Sequence, residues 1–172
     1  ASAAPANWDA VWVFVKYQDC NTKLWNHVNL NTSGHTAGSP LQVDTVTDAK
    51  GVFIRRSAVG GGNIASTAVT LSMNLPAGTY NFKVYGIEMV NVPQGDFQVG
   101  DGAGSYTYNN VTINNTAQTS GLTAGAISPN YSASIPATFP MGYNSFYCMK
   151  YEVSVDQYAD FLNSLTFDQQ KN

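Results

Sequence analysis

Charge is what this sequence has least of. Lys, Arg, Asp and Glu make up 11% of its 172 residues, where globular proteins carry roughly 25%. With a net charge of −3 and a pI near 5.1, it lacks the basic footprint that nucleic-acid binding needs, so no nucleic-acid partner is expected. Its one basic pair, Arg55-Arg56, reads as a solvated strand edge. Histidine occurs twice, at His27 and His35, with no acid or cysteine at ligand spacing. Cysteine also occurs twice, and the spacing of Cys20 and Cys148 matches no metal motif. An oxidising compartment would permit one disulfide between them, and two unpaired thiols are equally open. No Gly-x-Ser-x-Gly elbow, phosphate loop or His-Glu-x-x-His is present. No apolar run approaches the roughly 20 residues of a membrane helix. The residues therefore predict no catalytic set, no metal site, no cofactor and no transmembrane segment.

Asn, Thr, Ser and Gly fill the surface instead, which fits an exported β-rich protein. The start "ASAAPAN" reads as small and flexible, as processed N-termini often are. Sequons at Asn31, Asn110, Asn114 and Asn130 are what chance supplies in so Asn- and Thr-rich a chain.

The first half reads as strands. "WDAVWVFVKY" (8–17) sets Val11, Val13 and Val15 on one face and Trp12 and Phe14 on the other, so both faces must be covered. "LWNHVNL" (24–30) and "GVFIRRS" (51–57) follow, and "GGGN" (60–63) reads as a hairpin connection. "AVTLSMNL" (68–75) alternates, with Val69, Leu71, Met73 and Leu75 inward. After the turn at "PAG" (76–78), "TYNFKVYGIEMVNV" changes parity near Gly86, which predicts a bulge and a domain boundary. Residues 1–85 are thus expected to form an antiparallel β-sandwich of five to seven strands.

Residues 86–172 form the second expected domain. "MVNVPQGDFQVGDG" (89–102) reads as two short strands around a Pro-Gln-Gly turn. Residues 103–138 read as a long polar surface insertion, with a hairpin at most, where a partner would touch. Most aromatics read as core; Tyr106, Tyr108 and Tyr131 in that insertion are the exposed candidates. "SFYCMKYEV" (145–153) reads as a strand. Ser154 and Gln157 then make a capping box, and Val153 with Tyr158 a staple. Tyr158, Phe161, Leu162 and Leu165 fall on one helical face, with Asp156, Asp160 and Asn163 away from it.

Two blocks, "IEMVNVPQGDFQVGDG" and "FPMGYNSFYCMKYEVSVDQYADFLNSLT", resemble the opening of the sulfatase-modifying-factor, or formylglycine-generating-enzyme, domain. The matching positions are Met89, Val90, Val92, Pro93, Gly95, Phe97 and Gly100, then Phe146, Tyr147, Lys150, Tyr151, Glu152, Val153, Gln157, Tyr158 and Phe161. The resemblance covers 87–170 and implies the N-terminal part of an α+β, C-type-lectin-like domain. The family includes copper- and iron-dependent oxidising enzymes as well as ligand-binding and surface proteins. Its catalytic cysteine pair lies beyond the matched positions, so Cys148 inherits no role. Asp96, Asp101 and Glu152, among the acids of the matched blocks, make no calcium loop. The front half resembles the β-rich leader of exported Bacteroidetes proteins, and "DTV" (44–46) resembles their O-glycosylation signal, with Thr45 as acceptor.

Together these readings predict a mainly β, exported, non-catalytic bacterial surface protein with a binding or structural-assembly role, a filament or coat subunit included. The alternative is the N-terminal fragment of a formylglycine-generating-type enzyme. The helix face at Tyr158, Phe161, Leu162 and Leu165 needs covering, so the expected partner is more protein, from a longer parent chain or a neighbouring subunit.

Overall fold

A computed structural model describes residues 8–102 and 108–171. The fold is mainly β, with antiparallel sheets and few helices. Its strands are β1 (Trp8–Asp19), β2 (Trp25–His27), β3 (Thr36–Ala37), β4 (Leu41–Thr45), β5 (Val52–Arg56), β6 (Val69–Thr70), β7 (Tyr80–Val92), β8 (Phe97–Val99), β9 (Val111–Ile113) and β10 (Phe146–Met149). Two helices, α1 (Asn115–Ser120) and α2 (Val155–Leu162), complete the regular structure, with a 3-10 turn at Gln169–Lys171. The chain forms two compact units, one built from 8–91 with 148–171 and one from 92–147.

The larger unit is organised by β1, whose β-branched and aromatic residues suit an extended backbone apolar on both sides. It pairs with β7 along its whole length, from Trp8↔Asn91 to Asp19↔Tyr80. On its other side it pairs with β5 and then β2, and β4 follows β5, giving the order β10-β7-β1-β5-β4. On one face Val13, Val15 and Val52 pack with Val28 and Leu30 from the chain after β2. A second layer closes over them: β3 pairs with β6, and Leu30 bridges Met73. On the other face Phe14 stacks on Tyr85 at 4.8 Å and meets Phe161 edge-on at 6.3 Å.

The capping box of α2 is present, with the Gln157 amide donating to Ser154 Oγ at 3.2 Å and the Ser154 amide to Gln157 Oε1 at 3.1 Å. The helix docks through only part of the expected apolar face, turned so that Phe161 meets the sheet and Tyr158 and Leu162 do not. Tyr85 directs its hydroxyl proton between the Asp160 carbonyl at 2.8 Å and Ser164 Oγ at 2.9 Å, and Ser164 is fully buried. Lys83 donates to Asp160 at 2.9 Å. Asp160, Phe161 and Ser164 thus meet the sheet, while Tyr158 and Leu162 remain 53% and 41% exposed. A tyrosine, a lysine and a ring on the sheet select the polar–aromatic stripe of the helix over its purely apolar one.

The boundary expected at residue 86 is replaced by a continuous strand. β7 passes through Gly86 with one parity: Phe82, Val84 and Glu88 face the side of Val15, and Lys83, Tyr85 and Ile87 face the other. Apolar residues change parity there because Phe82 and Val84 lie on the groove face and Ile87 and Met89 on the other, with no bulge. The "GGGN" segment lies in the long connection from β5 to β6, which pair with β1 and β4 and with β3 respectively, so it is no hairpin. Only Val69–Thr70 of "AVTLSMNL" is strand, although Val69, Leu71 and Met73 do face inward.

In the smaller unit β8 pairs with β9, from Phe97↔Ile113 to Val99↔Val111. Strand β8 therefore finds its partner in the polar segment. Asn114 caps α1, accepting from the Ala117 amide at 3.0 Å. Ile113, Ala117 and Met141 are buried together, with Val99, Leu122 and Ile135 against them. The polar segment is thus partly a core: few apolar residues, each spaced for a short element, suffice to anchor it. Gly100, at φ +92°, leaves no room for a Cβ beside the Asn109 carbonyl. Tyr108 and Tyr131 are exposed as expected, and Tyr106 lies outside the described residues.

Gly51 is buried against the Trp12 ring, where a Cβ would overlap the indole. Gly51→Ala should lower stability by about 1–3 kcal/mol, the usual cost of overpacking. Gly61→Ala, which meets only open space, should leave it unchanged in the same urea titration.

Candidate functional site

The larger unit contains an open apolar groove on the Val15 face of its sheet. Val13 and Val15 of β1 and Ile54 of β5 form the floor, because a strand presents alternate residues to one side. Val69, Leu71 and Met73 make one wall, and Phe82 and Val84 of β7 the other. The groove encloses about 420 Å³ and no charged residue lines it. Its β7 wall is the least covered apolar surface in the sheet, with Phe82 50% and Val84 68% exposed. The small second layer, with β3 and β6 of two residues each, ends before it reaches β7.

Along the same strand, beyond Gly86, a shallow second pocket is lined by Ile87, Glu88, Tyr151, Glu152 and Gln157. Its cation, Lys150, is already held by Asp9 at 2.6 Å and stands 4.0 Å from Glu88. That contact with Asp9 raises the Lys150 pKa.

Behind the sheet sits a different cluster. Lys16 is 2% exposed, with its Nζ 5.8 Å from the centroid of the Phe161 ring. Among the described residues no carboxylate pairs with it, and burial lowers its pKa. His27, opposite Lys16 across the β1–β2 ladder, donates from Nε2 to the Lys50 carbonyl at 2.6 Å and stacks on Phe14. Its pKa is lowered, chiefly by burial, with the Lys16 charge adding to the effect against the hydrogen bond to Lys50. His35 is also committed: Nε2 donates to the Asn31 carbonyl, and Nδ1 accepts from the Ser72 amide at 3.0 Å. Both imidazoles are therefore fastened to backbone, as polar strand residues are.

The cysteines are free. The Cys20 amide bonds the Thr79 carbonyl, while the Lys150 amide, two residues after Cys148, bonds the Glu88 carbonyl. Nine residues of extended strand, about 30 Å at roughly 3.3 Å each, separate those two points. A disulfide needs Cα atoms within about 7 Å, so the pairing open in the sequence is not made. Thr45 is exposed at the end of β4, and the neighbouring Asp44 is engaged by Arg55 and Gln42. Arg55 and Arg56 are half-buried in an interior strand, Arg55 lying over the Trp8 ring, so they form no free basic edge. Asp96, Asp101 and Glu152 converge with no other ligand-type side chains, and no cluster of three metal-ligating residues exists among the described residues.

The groove was only half legible in sequence. Alternation in 68–75 and 80–84 marks its walls as inward-facing, yet nothing in the pattern says that the two walls fail to meet. Compared with models of known protein families, with curated proteins and with solved structures, the chain matches none.

The Lys16–His27 cluster has a defined pH signature. Each base is harder to protonate folded than unfolded, so the unfolded chain binds more protons between the two pKa values and stability rises with pH across that window. Stability should fall as pH drops below about 6.5, and His27→Gln should flatten that limb. On the alkaline side stability should rise as pH approaches the ordinary lysine range near 10.5. Lys16→Met should remove that rise and increase the melting temperature at pH 7, since it deletes an unpaired buried charge. Thermal melts from pH 5 to 10 read both effects.

Proposed function

We propose that this chain is a non-catalytic binding or assembly module of an exported bacterial surface protein, and that it engages other protein through the apolar groove. The observation that carries this reading is the groove itself: a charge-free concavity of about 420 Å³ whose β7 wall stands in solvent. Exposed apolar surface of this kind marks interaction sites. The outward residues of α2 extend the same tendency, with Tyr158, Leu162 and Val155 uncovered. The low charge and the polar Asn/Thr-rich composition support export. So does the resemblance of the front half to leaders of exported Bacteroidetes proteins. The resemblance of 87–170 to the opening of a formylglycine-generating-enzyme-like domain supports a binding role, since that family includes ligand-binding and surface members.

Surface labelling of intact producing cells, followed by native electrophoresis, tests the reading. The protein should label without lysis and run in a complex well above the chain's own 18.5 kDa, and Val84→Lys should release it from that complex. Labelling only after lysis, or a free chain whether or not Val84 is changed, would refute the proposal.

A further inference from the structure

We infer that the open edge of β7 accepts an extended segment donated by another polypeptide, carrying apolar side chains at alternate positions and a lysine or arginine at one end. The inference rests on the assembly reading above and gives its partner a chemistry.

Backbone geometry comes first. β7 has thirteen residues, and β1 pairs with twelve of them on one side. On the other side its neighbour in the sheet is β10, four residues long, and the Lys150 amide continues that side as far as the Glu88 carbonyl. Among the described residues no strand flanks the stretch from Tyr80 to Tyr85 on that side. Its outward N–H and C=O groups form a template for one more strand.

Native sheets protect such edges with lysine, proline or bulges. This edge has no proline and no bulge, and its one lysine, Lys83, is drawn to the opposite face by Asp160. The groove-side face of the edge is left to Phe82 and Val84.

The groove then selects the side chains. A strand added beside β7 sends alternate residues to the groove side, about 5 Å from Phe82 and Val84, where they can enter the groove toward Leu71 and Met73. A second copy pairing through its own β7 would bring no free cation to the acidic end near Glu88 and Glu152, since the one lysine of its edge, Lys83, is held by Asp160 on the opposite face. A lipid chain could fill the volume and would leave the edge unpaired. A donated strand does both.

Charge sets the end. One end of the edge runs toward Glu88 and Glu152, and Lys150 is shared there between Asp9 at 2.6 Å and Glu88 at 4.0 Å. Three carboxylates, Asp9, Glu88 and Glu152, around one lysine leave this end negative and favour a basic residue on the incoming segment.

Fluorescence anisotropy of the purified chain tests this with nine-residue peptides of alternating Ile and Thr, bearing Lys at either end in turn. At least one Lys peptide should bind, and replacing its Lys with Glu should weaken it several-fold. Methylating the alternate amides that face β7 should weaken it about tenfold or more, through lost hydrogen bonds. Val84→Lys should abolish binding with the circular dichroism spectrum unchanged, whereas Asn63→Lys, in the exposed β5–β6 connection, should not. Equal affinity for the methylated peptide, displacement by palmitate with no dependence on the peptide backbone, or a chain dimer dissolved by Val84→Lys in sedimentation would each overturn the inference. If no peptide binds yet Val84→Lys still releases the cell-surface complex, the strand inference falls and the assembly reading stands.

Discussion

The β1–β7 ladder is the constraint on which the rest of this structure depends. Twelve consecutive antiparallel pairs fix which residue of each strand shares a face with which. Because the side-chain period is two, a slip of one residue would send Val13 and Val15 to the helix side and Phe14 and Lys16 into the sandwich. The register therefore decides at once the valine core, the aromatic seat for Phe161 and the burial of Lys16. It also makes β7 long, and its other neighbour, β10, is short. An open edge is the geometric remainder of that mismatch.

What the sequence made legible follows from how local each signal is. Trp8–Asp19 declared itself by apolar residues on both faces, and the helix by a capping box whose two bonds form as expected. The inward set Val69, Leu71 and Met73 was readable from alternation alone, even where the strand itself shrank to two residues. Gly86 misled because a change in apolar parity has two causes, a bulge or a strand that carries apolar residues on both faces. Here Trp12 and Ile87 sit opposite each other on one face while Val15 and Val84 do so on the other.

Helix orientation was only partly legible, for a different reason: Phe161 does face the sheet as read, but so does Asp160. Periodicity finds the most apolar stripe, but docking is decided by what the sheet offers. It offers the Tyr85 hydroxyl, the Lys83 ammonium and the Phe14 ring, and these take Asp160, Ser164 and Phe161. The Lys83–Asp160 pair is exposed and contributes little by itself; its effect is to orient. The same choice leaves Tyr158 and Leu162 outward. The smaller unit was underestimated because a core of Ile113, Ala117 and Met141 needs so few apolar residues that composition hides it.

Groove and edge together make a surface that lacks one layer on one side and one strand on the other, and the proposed assembly role rests on that pairing. Backbone amide hydrogen exchange, read residue by residue along Tyr80–Tyr85, tests it most directly. The account predicts alternation: amides turned toward β1 exchange slowly, and those between them, turned outward, exchange at rates near those of free peptide. Uniform slow exchange along the stretch would mean that the edge is already covered within the chain itself, and would contradict the account.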